Sequence, residues 1–350
     1  AAPVTAAPAD YDADYIVGGS GAGGGTVAAR LAEAGFRVLL LEAGGDPRAL
    51  IGSTPHTPGV NSLPDDYDVP AFHALSTEND ALRWDFFVRH YTDQARQARD
   101  PHYRDTIDGT RVDGVLYPRA GVLGGCTAHN AMILVCPHNA DWNQLADLTG
   151  DASWRAEKMR VYFERIERCE HRPGERAAGH LGRNPSRHGW DGWLQTEKAV
   201  PSAAVRNRDL RTTILESARA ILGSPELALT DADRRARLDS DLDPNDWRAL
   251  SDATIGLRYT PLTTRNHQRV GARERVLDVA RRHPDRLKIQ LHALATRVLF
   301  DARQRAIGVE YQSGERLYGA HPRASQTPGK VRQVFAAREF LEPLVHVDRV

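Results

Sequence analysis

Residues 14–42 read DYIVGGSGAGGGTVAARLAEAGFRVLLLE, and this stretch decides the fold. Asp14 to Val17 is a short apolar run suited to a buried strand. It breaks into Gly18–Gly25, a glycine run interrupted only by Ser20 and Ala22. Thr26 to Ala34 has helical composition, and Gly35 stands where helices stop. Phe36 to Glu42 is a second apolar run, of the kind buried on both faces in a parallel sheet. The expectation is a β–α–β unit.

Within it, Gly19-Ser20-Gly21-Ala22-Gly23-Gly24 satisfies G-x-G-x-x-G. Alone that pattern is weak, but here it follows a strand, opens a helix and is followed by an acid about 20 residues on, at the end of the next strand. Each position has a physical task. Gly19 permits the tight turn, Gly21 lets the backbone approach a pyrophosphate, and Gly24 lets the helix pack closely. The helix N-terminus offers free N–H groups and a positive dipole end to phosphate. Glu42 can accept hydrogen bonds from both hydroxyls of an adenosine ribose, which disfavours NADP. NAD and FAD are not separated by this unit. Gly18 to Ala22 nearly reads as the G-x-S-x-G elbow of a hydrolase, but its last position is alanine, and a hydrolase has no use for Glu42.

A second glycine segment, YPRAGVLGGCTAHNAM at residues 117–132, resolves the choice of cofactor. Together with the opening unit it resembles the glucose–methanol–choline (GMC) family of FAD-dependent oxidoreductases. The family's R-x-x-x-L-G-G-[SC]-[ST]-x-x-N signature is matched from Arg119 to Asn130. A third stretch, Leu291–Asp301 followed by Ala306–Tyr311, is similar to the family's strand pair beside the adenine. The resemblance runs in order from Asp14 to about Glu339, and is patchy through 45–114 and 172–252.

The resemblance implies an α/β fold with a Rossmann-like FAD domain. Gly124, Gly125, Asn130, Ala131 and Met132 would approach the isoalloxazine and pyrophosphate, Val122 would line the flavin pocket, and Val298 would contact adenine through its backbone. Ser20, Ala22, Ala43 and Arg119, inside the same motifs, complete the expected cofactor set. In a choline-oxidising subset of the family a histidine placed like His129 is bonded to the flavin 8α-methyl. His129 is expected either to carry that bond, which raises the flavin's potential, or only to pack against the ring.

The rest of the chain is less informative. Residues 45–114 read as surface excursions with short helix, 117–132 as loop, and 174–201 as loop-dominated. Trp154–Cys169, Asp209–Leu222 and Gly271–Arg282 have helical spacing. Leu287–Leu291, Ala295–Phe300 and Ala306–Tyr311 read as strands. Domain boundaries are expected at 11–140 with 255–340 for the FAD domain, 141–254 for an inserted, incomplete substrate or cap region, and tails at 1–10 and 341–350.

The 350 residues carry no net charge, and their basic residues are nearly all arginine, with lysine only at Lys158, Lys198, Lys288 and Lys330. Those arginines are scattered, which argues against a nucleic-acid partner. No apolar run approaches the ~20 residues of a membrane span, and residues 1–14 lack the pattern of a signal peptide. The three cysteines, Cys126, Cys136 and Cys169, fit no disulfide framework and point to a reducing, cytoplasmic setting. No metal is expected. His171, His180 and His188 lie near Cys169 in a Gly/Arg/Pro-rich stretch without ligand spacing, which reads as a solvated loop. Trp84, Trp190 and Trp193 read as packing residues rather than as a cage for a quaternary ammonium.

The resemblance implies oxidation of a CH–OH donor by hydride transfer to flavin N5, with a small-molecule alcohol and an electron acceptor as partners. The family's catalytic base follows a later signature, T-P-x-L-L-x-x-S-G-I-G. Here Ala337-Arg338-Glu339 begins the strand before it, and Phe340 to Val350 departs from the pattern. His346 has no base-orienting partner in view. The expectation is therefore a C-terminally truncated chain with no catalytic residue of its own. One alternative is a flavoprotein without chemistry. The other is an NAD-binding dehydrogenase or regulatory module, which leaves 119–132 unexplained.

Overall fold

The structure is a computed structural model that describes residues 11–107, 109–199, 206–223, 230, 243–251 and 258–341. The two tails, His346 and most of the charged stretch before Asp252 lie outside the described residues. The chain divides into two units, one running up to Ala131 and resuming at Gln268, the other Met132–His267. The sequence had put those divisions near 140 and 255.

The first unit is built on the opening β–α–β. Strand β1 (Ala13–Gly18) lies parallel to β2 (Val38–Leu41), and helix α1 (Ala22–Glu33) connects them. The helix begins four residues before the expected Thr26, inside the glycine run. Glycine's poor helix propensity hid this start, but the geometry of the turn overrides propensity. A six-stranded sheet runs in the order Leu287–Gln290, β2, β1, Lys330–Leu341, Ala306–Ser313, Ala293–Phe300. The first four strands are parallel and the last two join antiparallel.

Both faces of that sheet are covered, as the unbroken apolar strands required. On one face Val17, Val38 and Leu40 pack against Ala28, Ala29 and Ala32 of α1, and against Val276 and Val279 of the Ala272–Arg282 helix. On the other, Ile16 and Leu41 pack with Val309, Tyr311 and Phe340. The alternation of Ile16 and Val17 to opposite faces follows from the two-residue period of a strand.

Three expectations need correction. Tyr117–Ala120 is strand, not loop. It ends Thr110–Ala120, which pairs antiparallel with Arg83–Val88, setting Pro118 opposite Asp85. The proline masked this strand in the sequence. With Tyr103–Ile107 the pair forms a three-stranded sheet inside the supposed excursion 45–114. The loop-dominated reading of 174–201 also fails, because Pro173–His180 is helix and Leu194–Lys198 is strand.

The second unit carries helices Asn139–Thr149, Ala156–Ile166 and Arg208–Leu222. Its small sheet orders Glu167–Cys169, Leu194–Lys198 and Pro261–Leu262. The buried Arg160 ties three carbonyls together, donating to Ser186, Arg187 and Asn245 at 2.7, 2.7 and 2.8 Å. The supposed solvated loop divides: Cys169 and His188 are buried, whereas His180 is exposed. No helix among the described residues is long and apolar enough to cross a membrane.

Candidate cofactor site

Gly19 turns the chain out of β1 with φ of +90°, a left-handed conformation that glycine adopts without strain. The next residues enter α1 with no side chain capping its first turn and no acid in it. The amides of the first turn therefore face outward as an anion site. Gly24, where close packing was expected, is buried, and its neighbour Gly25 is packed closely. A Cβ at Gly25 would stand 2.7 Å from Ser20 O and 3.0 Å from Ala272 Cβ.

The second glycine segment comes back to this turn. A Cβ on Gly125, whose φ is +51°, would sit 2.7 Å from Gly21 Cα. The approach requires glycine at 125, whereas a Cβ on Gly21 would meet Gly125 Cα at an ordinary 3.8 Å. Ser20 links the segments. Its amide donates to Glu42 Oε2 at 3.0 Å, its hydroxyl donates to the same oxygen, and that hydroxyl accepts from Gly124 N at 2.9 Å. Glu42 Oε1 accepts from Gly44 N at 2.9 Å. Burial pushes the Glu42 carboxyl up, opposed by the hydrogen bonds from Ser20 and Gly44.

His129 follows Gly125–Ala128, a short 3-10 turn. It is buried, and its Nδ1 has no hydrogen-bond partner among the described residues. Burial, with Arg269 and Arg119 nearby, lowers its pKa to about 4, so the ring is neutral at physiological pH. Arg119 is itself exposed on its strand, opposite Trp84. Val122 is fully buried. Ala22 is exposed and Ala43 half-buried. Val298 lies on the edge strand of the six-stranded sheet, where the outer backbone groups are open to a ligand. Met132 opens the second unit with φ of +60°, and its carbonyl accepts from Thr263 N at 2.8 Å. Trp84 packs against Tyr318 in the first unit with the rings tilted by 56°, while Trp190 and Trp193 belong to the second.

Sequence reasoning missed the residues that hold these loops. The buried guanidinium of Arg269 donates to the carbonyls of Tyr67, Thr127 and Asn130 and to Asn130 Oδ1, at 2.7–3.0 Å. Thr127 Oγ1 accepts from Ala272 N at 3.0 Å and so caps the Ala272–Arg282 helix. No local pattern marks either contact, since each joins segments more than a hundred residues apart.

These features fit a dinucleotide: an open helix N-terminus, a cradle that a Cβ would fill, and a buried imidazole with an unpartnered nitrogen. Residues 13–331 match the family model described as GMC oxidoreductase. The chain is 30% identical over 209 residues to pyranose dehydrogenase 3 of Leucoagaricus meleagris, covering 59% of this chain and 29% of that protein. It is 27% identical over 312 residues to an oxygen-dependent choline dehydrogenase of Pseudomonas putida (strain GB-1), covering 86% and 42%. Among solved structures, pyridoxine 4-oxidase from Mesorbium loti superposes with a TM-score of 0.59 at 20% identity, over 95% of this chain and 49% of that one. A fungal aryl-alcohol oxidase gives 0.57 at 18%, over 95% and 46%. The chain thus spans less than half the length of each of these proteins. It belongs to the GMC oxidoreductase family, with a Rossmann-like α/β fold.

Proposed function

We propose that the chain is the cofactor-bearing portion of an FAD-dependent oxidoreductase acting on CH–OH donors. The observation that carries this reading is the approach of Gly125 to Gly21 beside the open N-terminus of α1. When bound, FAD supplies the hydride acceptor.

The chain's own residues hold and orient it. The first-turn amides after Gly21 receive the pyrophosphate, with Gly19, Ser20, Ala22 and Gly24 shaping the turn. Glu42 and Ala43 meet the adenosine ribose. Glu42 Oε1 accepts from Gly44 N and keeps a lone pair for a ribose hydroxyl, while Oε2 already takes two hydrogen bonds from Ser20. The Val298 backbone takes the adenine. Val122, Gly124, Gly125, His129, Asn130 and Ala131 border the flavin, with Arg119 as a nearby cation. Cytoplasmic placement belongs to the same proposal, supported by three unpaired cysteines.

None of these residues is a base placed to take a hydroxyl proton. We therefore expect the 350-residue chain to bind FAD without oxidising an alcohol. The test is to load the purified chain with FAD, measure flavin retained after gel filtration, and add a primary alcohol under anaerobic conditions. A yellow protein that is not bleached is the expected result. A chain that binds NAD and stays colourless with FAD defeats the cofactor assignment, whereas bleaching by the alcohol defeats only the claim of inactivity.

A further inference from the structure

The first unit holds a cavity of about 380 Å³, a size within the range of small-molecule sites. One side is formed by Ala43–Gly45 and the chain that follows, the other by the connection between the strands Ala306–Ser313 and Lys330–Leu341. That connection is fastened across the opening. The Ala320 carbonyl accepts from Asp85 N at 2.7 Å, and Arg323 donates to Asp80 Oδ1 at 3.3 Å and to Ile51 O at 3.4 Å. Of the residues assigned to the cofactor, only Ala43 reaches the cavity wall. Glu42 is turned toward Ser20, and neither lines the cavity.

The lining has a flat apolar part and a cationic part. Trp84 and Tyr318 stand with ring centroids 4.7 Å apart, and Leu50 and Leu317 extend that surface. The Trp84 ring lies against the Gly121 backbone, where a Cβ would collide with its indole nitrogen. The cationic part is Arg316 and Arg323, with His292 and His321 beside them. His321 Nδ1 accepts from Arg323 N at 2.9 Å, so the ring carries its hydrogen on Nε2. Burial, with Arg323 and Arg316 nearby, lowers its pKa to about 4 and keeps the ring neutral.

Two of these residues are held in an unfavourable backbone conformation. His292 and Arg316 have φ of +53° and +54°, the left-handed region that residues with a Cβ enter at a cost. Neither side chain makes a hydrogen bond or ion pair among the described residues. Strain of this kind is characteristic of ligand clamps. A Cβ on Gly45 would stand 2.9 Å from His292 Cε1, so glycine at 45 gives that ring its place. Strained backbone, unpartnered donors and an aromatic wall thus meet in one cavity.

We propose that this cavity binds a small aromatic carboxylate, with its ring against Trp84 and Tyr318 and its carboxylate on Arg316 and His321 Nε2. A guanidinium presents a planar fork that matches a carboxylate. The lining has two arginines and one acid, the exposed Glu315, so one negative charge balances it. The same arginines repel the quaternary ammonium that aromatic side chains can also receive.

The test titrates the full chain with 2-naphthoate by calorimetry, with and without FAD, and with 2-naphthamide as the uncharged control. One naphthoate per chain is expected, at equal affinity in both states, with the amide binding at least about tenfold more weakly. Arg316→Gly suits the left-handed backbone and removes the fork, and should weaken naphthoate about tenfold or more while flavin retention is unchanged. Arg316→Lys keeps the charge without the fork and should fall between. Arg316 is exposed, and circular dichroism records that each variant folds. Naphthoate binding weaker than about 1 mM, equal affinity for the amide, or unchanged affinity in Arg316→Gly would overturn the site. Displacement of naphthoate by FAD would overturn it too, by making the cavity the adenosine end of the cofactor site. A chain that takes naphthoate but no FAD defeats the cofactor assignment and leaves this site standing.

Discussion

His129 is set apart from the other histidines by what surrounds it. Burial and two arginines hold its pKa at about 4, so its ring enters any reaction as the neutral nucleophile. Its Nδ1 meets no partner among the described residues, and an unpaired buried nitrogen costs about 1–3 kcal/mol unless something satisfies it. Gly125, four residues earlier, sets where the ring stands, because its left-handed turn against Gly21 fixes the start of the 125–128 turn. The bonded one of the two readings of His129 makes a direct prediction. Acid-precipitated protein should keep its yellow colour in the pellet, and His129→Ala should release all of it to the supernatant. If the unaltered chain releases its colour, His129 only packs against the flavin.

Among the elements, α1 and the Ala272–Arg282 helix are joined by one carboxylate. Glu33, at the end of α1, accepts from Arg275 at 2.6 Å, Arg282 at 2.9 Å and Arg30 at 3.1 Å. Burial would raise this carboxyl, but the guanidiniums outweigh it and hold its pKa at about 2, below the ordinary 4.5. A carboxyl depressed on folding contributes stability above its unfolded pKa and loses it as pH falls toward the folded one. Glu33→Gln should therefore cost about 2 kcal/mol at neutral pH and flatten the loss of stability between pH 4.5 and about 2. Urea unfolding at a series of pH values checks this, and parallel curves for both proteins would refute it. Apolar patterning made both helices and three of the four parallel strands legible in the sequence, because each presents one continuous face to the core; the fourth, Lys330–Leu341, was placed only by resemblance and only from Ala337. It failed for Tyr117–Ala120, where Pro118 hid an extended backbone held by its partner strand. It also failed for Cys169 and His188, which are buried. Their burial is decided by position in three dimensions, and no spacing along the chain encodes it.

For the whole molecule, the distribution of the site over the chain matters most. The proposed flavin cradle would draw on the turn at 19–25, the acid at 42, the segment 119–131 and the edge strand at 298, all in the first unit. The first two and the third were legible as motifs; Arg269 and Thr127, which hold them in register, were not. A ligand that binds only the folded form stabilises it by mass action, by about 2.7 kcal/mol at a hundred times its dissociation constant. Amide exchange should show that gain where the ligand sits. FAD is expected to slow exchange in 15–25, 38–45, 120–131 and 293–300. FAD protection confined to 156–198 would break the cofactor assignment.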